Sequence, residues 1–117
     1  MRPLGAQAEL LRVLGHPVRL QILEALTKGV KCVSDLEEFL EISQSNVSQH
    51  LSLLRRHGLI DYYMDGRLRC YYLVDPIVPD LLDVLKRDYP ETLPPPACCP
   101  VTKKGRYPGK KGRKLRR

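Results

Sequence analysis

Residues 43–74 read SQSNVSQHLSLLRRHGLIDYYMDGRLRCYYLV, and this stretch decides the fold. Ser43 suits a helix start, where its hydroxyl accepts a backbone N–H that would otherwise lack a partner. Behind it, Val47, Leu51 and Leu54 fall at i, i+4 and i+7, the apolar face of a helix running to about His57. Gly58 closes that helix, and Leu59 and Ile60 follow as its hydrophobic contact. Then the period changes. Residues 60–64 and 68–74 are rich in tyrosine and aliphatic side chains, and Asp65-Gly66 between them is a two-residue hairpin signal.

The flanks are helical on the N-terminal side. Leu4, Ala8, Leu11 and Leu14 recur at helical spacing within residues 3–14, and Gly15 ends the run. Pro17 opens a second helix, where its missing N–H does no harm. Val18, Ile22, Leu23 and Leu26 give that helix its buried stripe, and Gly29 stops it. Ser34 to Glu37 reads Ser-x-x-Glu, a capping box for a short third helix over residues 35–41 with Leu36, Phe39 and Leu40 turned inward. After Asp75-Pro76, the positions Ile77, Leu81, Val84 and Leu85 predict a fifth helix. Beyond Tyr89, five prolines between residues 90 and 100 exclude a helix and favour extended chain, and a glycine-and-lysine tail expected to be disordered follows. The expected architecture is mainly α with a β-hairpin wing: five helices and two strands in a winged helix-turn-helix. Residues 1–89 are expected to form the folded domain, and 90–117 the Pro-rich then basic tail.

Charge is distributed unevenly over the 117 residues. Nine of the twenty lysines and arginines lie in residues 103–117, which hold no acid, so the body is slightly acidic and the tail strongly basic. Such a tail favours polyanions through counterion release, although a solvated tail that only aids solubility has the same composition. No apolar run approaches the roughly 18 residues of a membrane span. The first residues lack the basic-then-apolar layout of a secretory signal, so a cytoplasmic location is expected. Paired catalytic carboxylates, a nucleophile–base motif and a phosphate-binding glycine loop are all missing, which argues against an enzyme.

Opposite Val47, Leu51 and Leu54, the fourth helix carries Gln44, Ser45, Ser48, Gln49 and Arg55, flanked by Asn46 and His50. Glutamine and asparagine side chains bond adenine edges in pairs, serine reaches base or phosphate, and the helix start attracts phosphate. A merely solvated face would favour Glu and Lys, which are scarce here. Arg67 and Arg69, near the hairpin tip, are placed to grip phosphate.

The run Val13-Leu14-Gly15-His16-Pro17-Val18-Arg19-Leu20-Gln21-Ile22-Leu23, the run from Ser43 through Leu51 to Gly58-Leu59-Ile60, and Asp65-Gly66-Arg67 together resemble the ArsR-type metalloregulators over roughly residues 8–75. The resemblance implies a homodimeric repressor that leaves its operator when an inducer binds. It also implies that the first and last helices form the dimer interface. Two-fold symmetry then predicts an inverted-repeat operator.

Arsenic-sensing members of that family carry Cys-x-Cys-x-x-Cys at the start of the third helix. The matching run here is Cys32 through Glu37, and only its first position is cysteine. The zinc sensors use Asp and His on the last helix, where this chain has Asp80 and Asp83, then Asp88, but no histidine. Cys98-Cys99, on a proline-bounded segment, presents two thiols to one soft ion. Trivalent arsenic or antimony takes three thiolates, and Cys32 is the first choice for the third because it occupies the family position. The expected inducer site is therefore Cys32, Cys98 and Cys99, binding As(III) or Sb(III). A redox switch or another soft metal on the same thiols is the alternative. Cys70 reads as a packing residue, because free cysteine behaves as a small hydrophobe, although a part for it as a ligand stays open.

Overall fold

The computed structural model describes residues 1–96. Met1–Arg87 forms one compact unit, and a second begins at Asp88. Of the second, residues 88–96 are exposed and hold neither helix nor strand.

In the first unit the helices are α1 (Leu4–Leu14), α2 (Pro17–Thr27), α3 (Val33–Leu40), α4 (Gln44–Arg56) and α5 (Ile77–Lys86), with strands β1 (Lys31–Cys32), β2 (Ile60–Asp65) and β3 (Leu68–Leu73). Five helices and a hairpin are thus present as expected, joined by a third strand. The sheet is antiparallel with order β1-β3-β2. β1 escapes sequence reading because two residues carry no periodicity.

Local chemistry sets the boundaries. His16 caps α2, its Nδ1 accepting from the Val18 N–H at 3.1 Å, and Pro17 takes the first helical position. Ser43 caps α4, its Oγ accepting from the Asn46 N–H at 3.3 Å. α4 ends on Gly58 at φ +75°, with Leu59 N–H returning to the Leu54 carbonyl at 3.1 Å and Gly58 N–H to Arg55 at 2.9 Å. That paired closure satisfies carbonyls the helix end would leave bare, and a left-handed glycine permits it at little cost.

Three expectations are corrected. The capping box lies two residues earlier than Ser34–Glu37. Cys32 is the cap residue, and the Asp35 carboxylate accepts the Cys32 N–H at 3.1 Å, so α3 begins at Val33. Both sites offer an acid three residues after the cap; pairing of β1 with β3 makes Cys32 extended and selects the earlier one. Phe39 is 62% exposed rather than inward. With α3 starting earlier, Leu36 alone among its residues is fully enclosed. The hairpin loop also shifts by one residue. Asp65 pairs with Leu68, leaving Gly66-Arg67 as the loop. Gly66 has φ +65° and Arg67 does not have a positive φ, the pattern of a turn with glycine in its first central position.

The core lies where α2, α4 and the sheet meet. Ile22 and Leu23 of α2, Leu36 of α3, and Val47, Leu51 and Leu54 of α4 are all at 0% exposure. Tyr71 of β3 closes the core from the sheet side. Burial of the apolar stripe of α4 fixes which face remains outward.

Candidate nucleic-acid interface

α4 follows α3 after a tight turn in which Glu41 adopts φ 56°, returning its N–H to the Glu37 carbonyl at 2.9 Å. The turn sets α4 across α3 with its start uncovered. Gln44, Ser45, Asn46 and Gln49 are exposed there, while Ser48 and His50 are half-buried. Ser52, Arg55 and Arg56 continue the outward side. No acidic residue occurs on this helix. Unpaired N–H groups at the first turn add a partial positive charge beneath the polar cluster. The surface therefore offers neutral hydrogen-bonding groups at one end and cations at the other.

His50 is the most constrained of the predicted contacts. Its ring lies 4.6 Å from the His16 ring, and its Nδ1 accepts from Arg19 Nε at 3.4 Å. Arg19 is held in turn by the Val13 carbonyl at 2.8 Å. Burial, then the neighbouring His16 and Arg19, push the His50 pKa below its ordinary value, so the ring is neutral at neutral pH. His50 thus fastens α4 to α2 at the border of the outward face.

Arg55 is fixed at the other end. Its Nε donates to Asp61 Oδ1 at 2.9 Å, and its guanidinium lies 4.8 Å from the centre of the Tyr62 ring. The Arg69 guanidinium approaches the same ring at 4.9 Å. The hydrogen bond from Arg55 lowers the Asp61 pKa, so the pair stays charged across the neutral range. Arg55, Arg56 and Arg69 line one open groove with Ser52 between the end of α4 and the hairpin. Arg67 stands exposed in the hairpin loop. Sequence reading did not single out Arg56. Its signal was available: Ser45, Gln49, Ser52 and Arg56 recur at i, i+4, i+7 and i+11 opposite the apolar stripe. Tyr62, against which Arg55 and Arg69 pack, carried no such signal.

Of the expected thiol ligands, Cys32 is half-buried at the start of α3, its Sγ–H donating to Asp35 Oδ2 at 3.1 Å and lying 3.3 Å from Ser34 Oγ. The Cys32 thiol bond first, then the bond from the Cys32 N–H, lower the Asp35 pKa. Cys98 and Cys99 lie outside the described residues. Among the described residues no group of three or more His, Cys, Asp or Glu is arranged to hold a metal ion. Asp80 and Asp83 lie on α5 without a histidine partner. Cys70 is buried, and burial is the first cause that raises its thiol pKa.

Comparison with known proteins agrees with this arrangement. The family model described as "Bacterial regulatory protein, arsR family" matches residues 16–62, from the cap of α2 into β2. The chain is 40% identical over 72 residues to the HTH-type transcriptional repressor SmtB of Mycobacterium tuberculosis, a match covering 62% of this chain and about half (53%) of that protein. It is 34% identical over 82 residues to the HTH-type transcriptional regulator Rv0081 of the same organism, covering 69% of this chain and 72% of that one. Among solved structures, HlyU from Vibrio cholerae superposes with a TM-score of 0.67 at 36% identity, covering 73% of this chain and 94% of HlyU.

Proposed function

The chain belongs to the ArsR family of bacterial regulatory proteins, and from that premise we propose that it is a homodimeric transcriptional repressor whose α4 reads operator DNA in the major groove. One observation carries the reading: α4 buries Val47, Leu51 and Leu54 and leaves an acid-free outward face of Gln44, Ser45, Asn46 and Gln49. Gln44, Asn46 and Gln49 supply paired donors and acceptors for base edges, and Ser45 and Ser48 reach base or phosphate. His50 borders this face, Arg55 holds phosphate from the groove, and Arg67 holds it from the wing. The proposed dimer uses α1 and α5, where Leu4, Leu11 and Leu85 stay 62–80% exposed. Apolar side chains repeated on one helix in that way mark a surface that another chain covers.

The proposed inducer is trivalent arsenic or antimony, with Cys32, Cys98 and Cys99 as ligands. Cys32 supports this by position, because it caps the first helix of the helix-turn-helix. An ion bound there draws on the same backbone that aims α4. Each arsenic–sulfur bond replaces an arsenic–oxygen bond of arsenous acid, and the thiol proton leaves with the hydroxide as water. Coupling is reciprocal, so operator DNA weakens arsenite binding by the factor by which arsenite weakens DNA binding. The test is anisotropy of a labelled operator complex during arsenite titration under reducing conditions. Wild type is expected to release DNA, while Cys98→Ser and Cys99→Ser bind DNA normally and stay bound. Normal release by either variant would overturn this ligand set.

A further inference from the structure

Cys32 and Cys70, far apart in sequence, are direct partners across the antiparallel β1–β3 pair. The Cys32 N–H is bonded to Asp35 at 3.1 Å and not to the neighbouring strand. Their pairing is therefore of the kind without cross-strand hydrogen bonds, in which Cα atoms lie about 4.5 Å apart and side chains stand closest. That spacing lies within the roughly 4.4–6.8 Å that even a direct sulfur–sulfur bond demands. A bridging atom asks less of the backbone.

The surroundings suit a site. Tyr71 belongs to the core, and successive strand residues point to opposite faces, so Cys70 points away from the core. It is 8% exposed without belonging to the core cluster. Its cover includes its two register partners, Cys32 on one side and Tyr63 on the other. As direct partners of a non-hydrogen-bonded pair, Cys32 and Cys70 stand side by side on the same face of the sheet.

We propose that Cys32 and Cys70 form a dithiol clamp for a trivalent arsenical, taking one sulfur from the start of α3 and one from the wing strand β3. A monosubstituted arsenical loses its single oxygen as water with both thiol protons, gains two arsenic–sulfur bonds, and keeps its oxidation state. The clamp ties the first helix of the helix-turn-helix to the wing strand; release of DNA stays with the three-thiol site proposed above. It shares Cys32 with that reading and does not rest on it for its chemistry.

The probe is phenylarsine oxide, which takes two thiols, applied to the folded full chain carrying Cys98→Ser and Cys99→Ser. The expected product is one phenylarsenic group per chain, loss of both remaining titratable thiols, and reversal by ethanedithiol. Peptide mapping is expected to join the Cys32 and Cys70 peptides. Adding Cys32→Ser, at a half-buried position, is expected to abolish the adduct and leave Cys70 titratable. Because Cys70→Ala risks the fold, mapping of the protein with both thiols intact carries the assignment instead. Two free thiols in the folded chain under excess reagent, or an adduct formed only in urea, would overturn the clamp. Adduct formation does not require DNA, so failure of the clamp and failure of arsenite-driven DNA release are read separately.

Discussion

Arg67 and Gln49 make two different kinds of contact under this account, and they fail differently. Arg67 stands exposed in the hairpin loop and forms no ion pair among the described residues. As a phosphate contact it gives affinity without sequence preference. Arg67→Ala is expected to weaken operator and random DNA alike and to reduce the slope of log affinity against log salt by about 0.9 for the dimer's each lost contact. An unchanged salt slope in an anisotropy series would remove Arg67 from the interface. Gln49 faces outward from α4 and acts on the bases, so its loss reduces preference more than overall affinity. At this scale the sequence was legible where a residue's neighbours are close in the chain. The polar face of α4 could be read from helical spacing alone. The Cys32–Cys70 partnership could not, because it depends on register between β3 and a strand only two residues long. The hold of Arg19 and His16 on the His50 ring is likewise invisible in the sequence, because it depends on how α2 packs against α4.

Elements are joined here by few polar contacts, and one is a network between α1 and the end of α4. Glu9 accepts from Arg12 on its own helix and from His57 Nε2 at 3.1 Å, while the Leu53 carbonyl accepts from His57 Nδ1 at 3.0 Å. Arg12 first, then His57, hold the Glu9 pKa at about 2 against an ordinary value of 4.5. The sign follows from linkage. A carboxylate depressed in the folded state adds stability that is complete above pH 4.5 and fades as pH falls toward 2. Glu9→Gln is expected to lower the urea midpoint slightly at pH 7, to flatten the acid limb below pH 4.5, and to match wild type near pH 2. The effect is small because the network is exposed and salt screens it. Parallel acid limbs in the two proteins would show that the contact does not tie α1 to α4. Element positions were legible wherever a cap or a periodic stripe was present: Ser43, Gly58 and Pro17 all mark boundaries found in the structure. The start of α3 was not, because two capping choices overlap and a tertiary strand pairing decides between them.

Across the whole molecule, a small core holds α4 with its polar face outward and leaves apolar positions on α1 and α5 exposed. Leu51 ties these together, since it is fully enclosed between α4 and the core. Leu51→Ala is expected to cost about 2–5 kcal/mol, a large share of the stability of a domain this size, with loss of DNA binding following loss of fold. The hydrophobic pattern made this architecture legible, because one buried face per helix leaves few ways to assemble five helices and a hairpin. The partner surface and the inducer do not follow from packing within one chain. The central claim is that the outward face of α4 reads a specific DNA sequence. Anisotropy titration of the full chain on labelled DNA from upstream of its own coding sequence, against random DNA at the same salt, tests it most directly. The account predicts a preference of roughly 10³-fold or more for the upstream fragment, reduced about 10-fold or more by Gln49→Ala. Equal affinity for both DNAs at every salt concentration, or a preference untouched by Gln49→Ala, would contradict it.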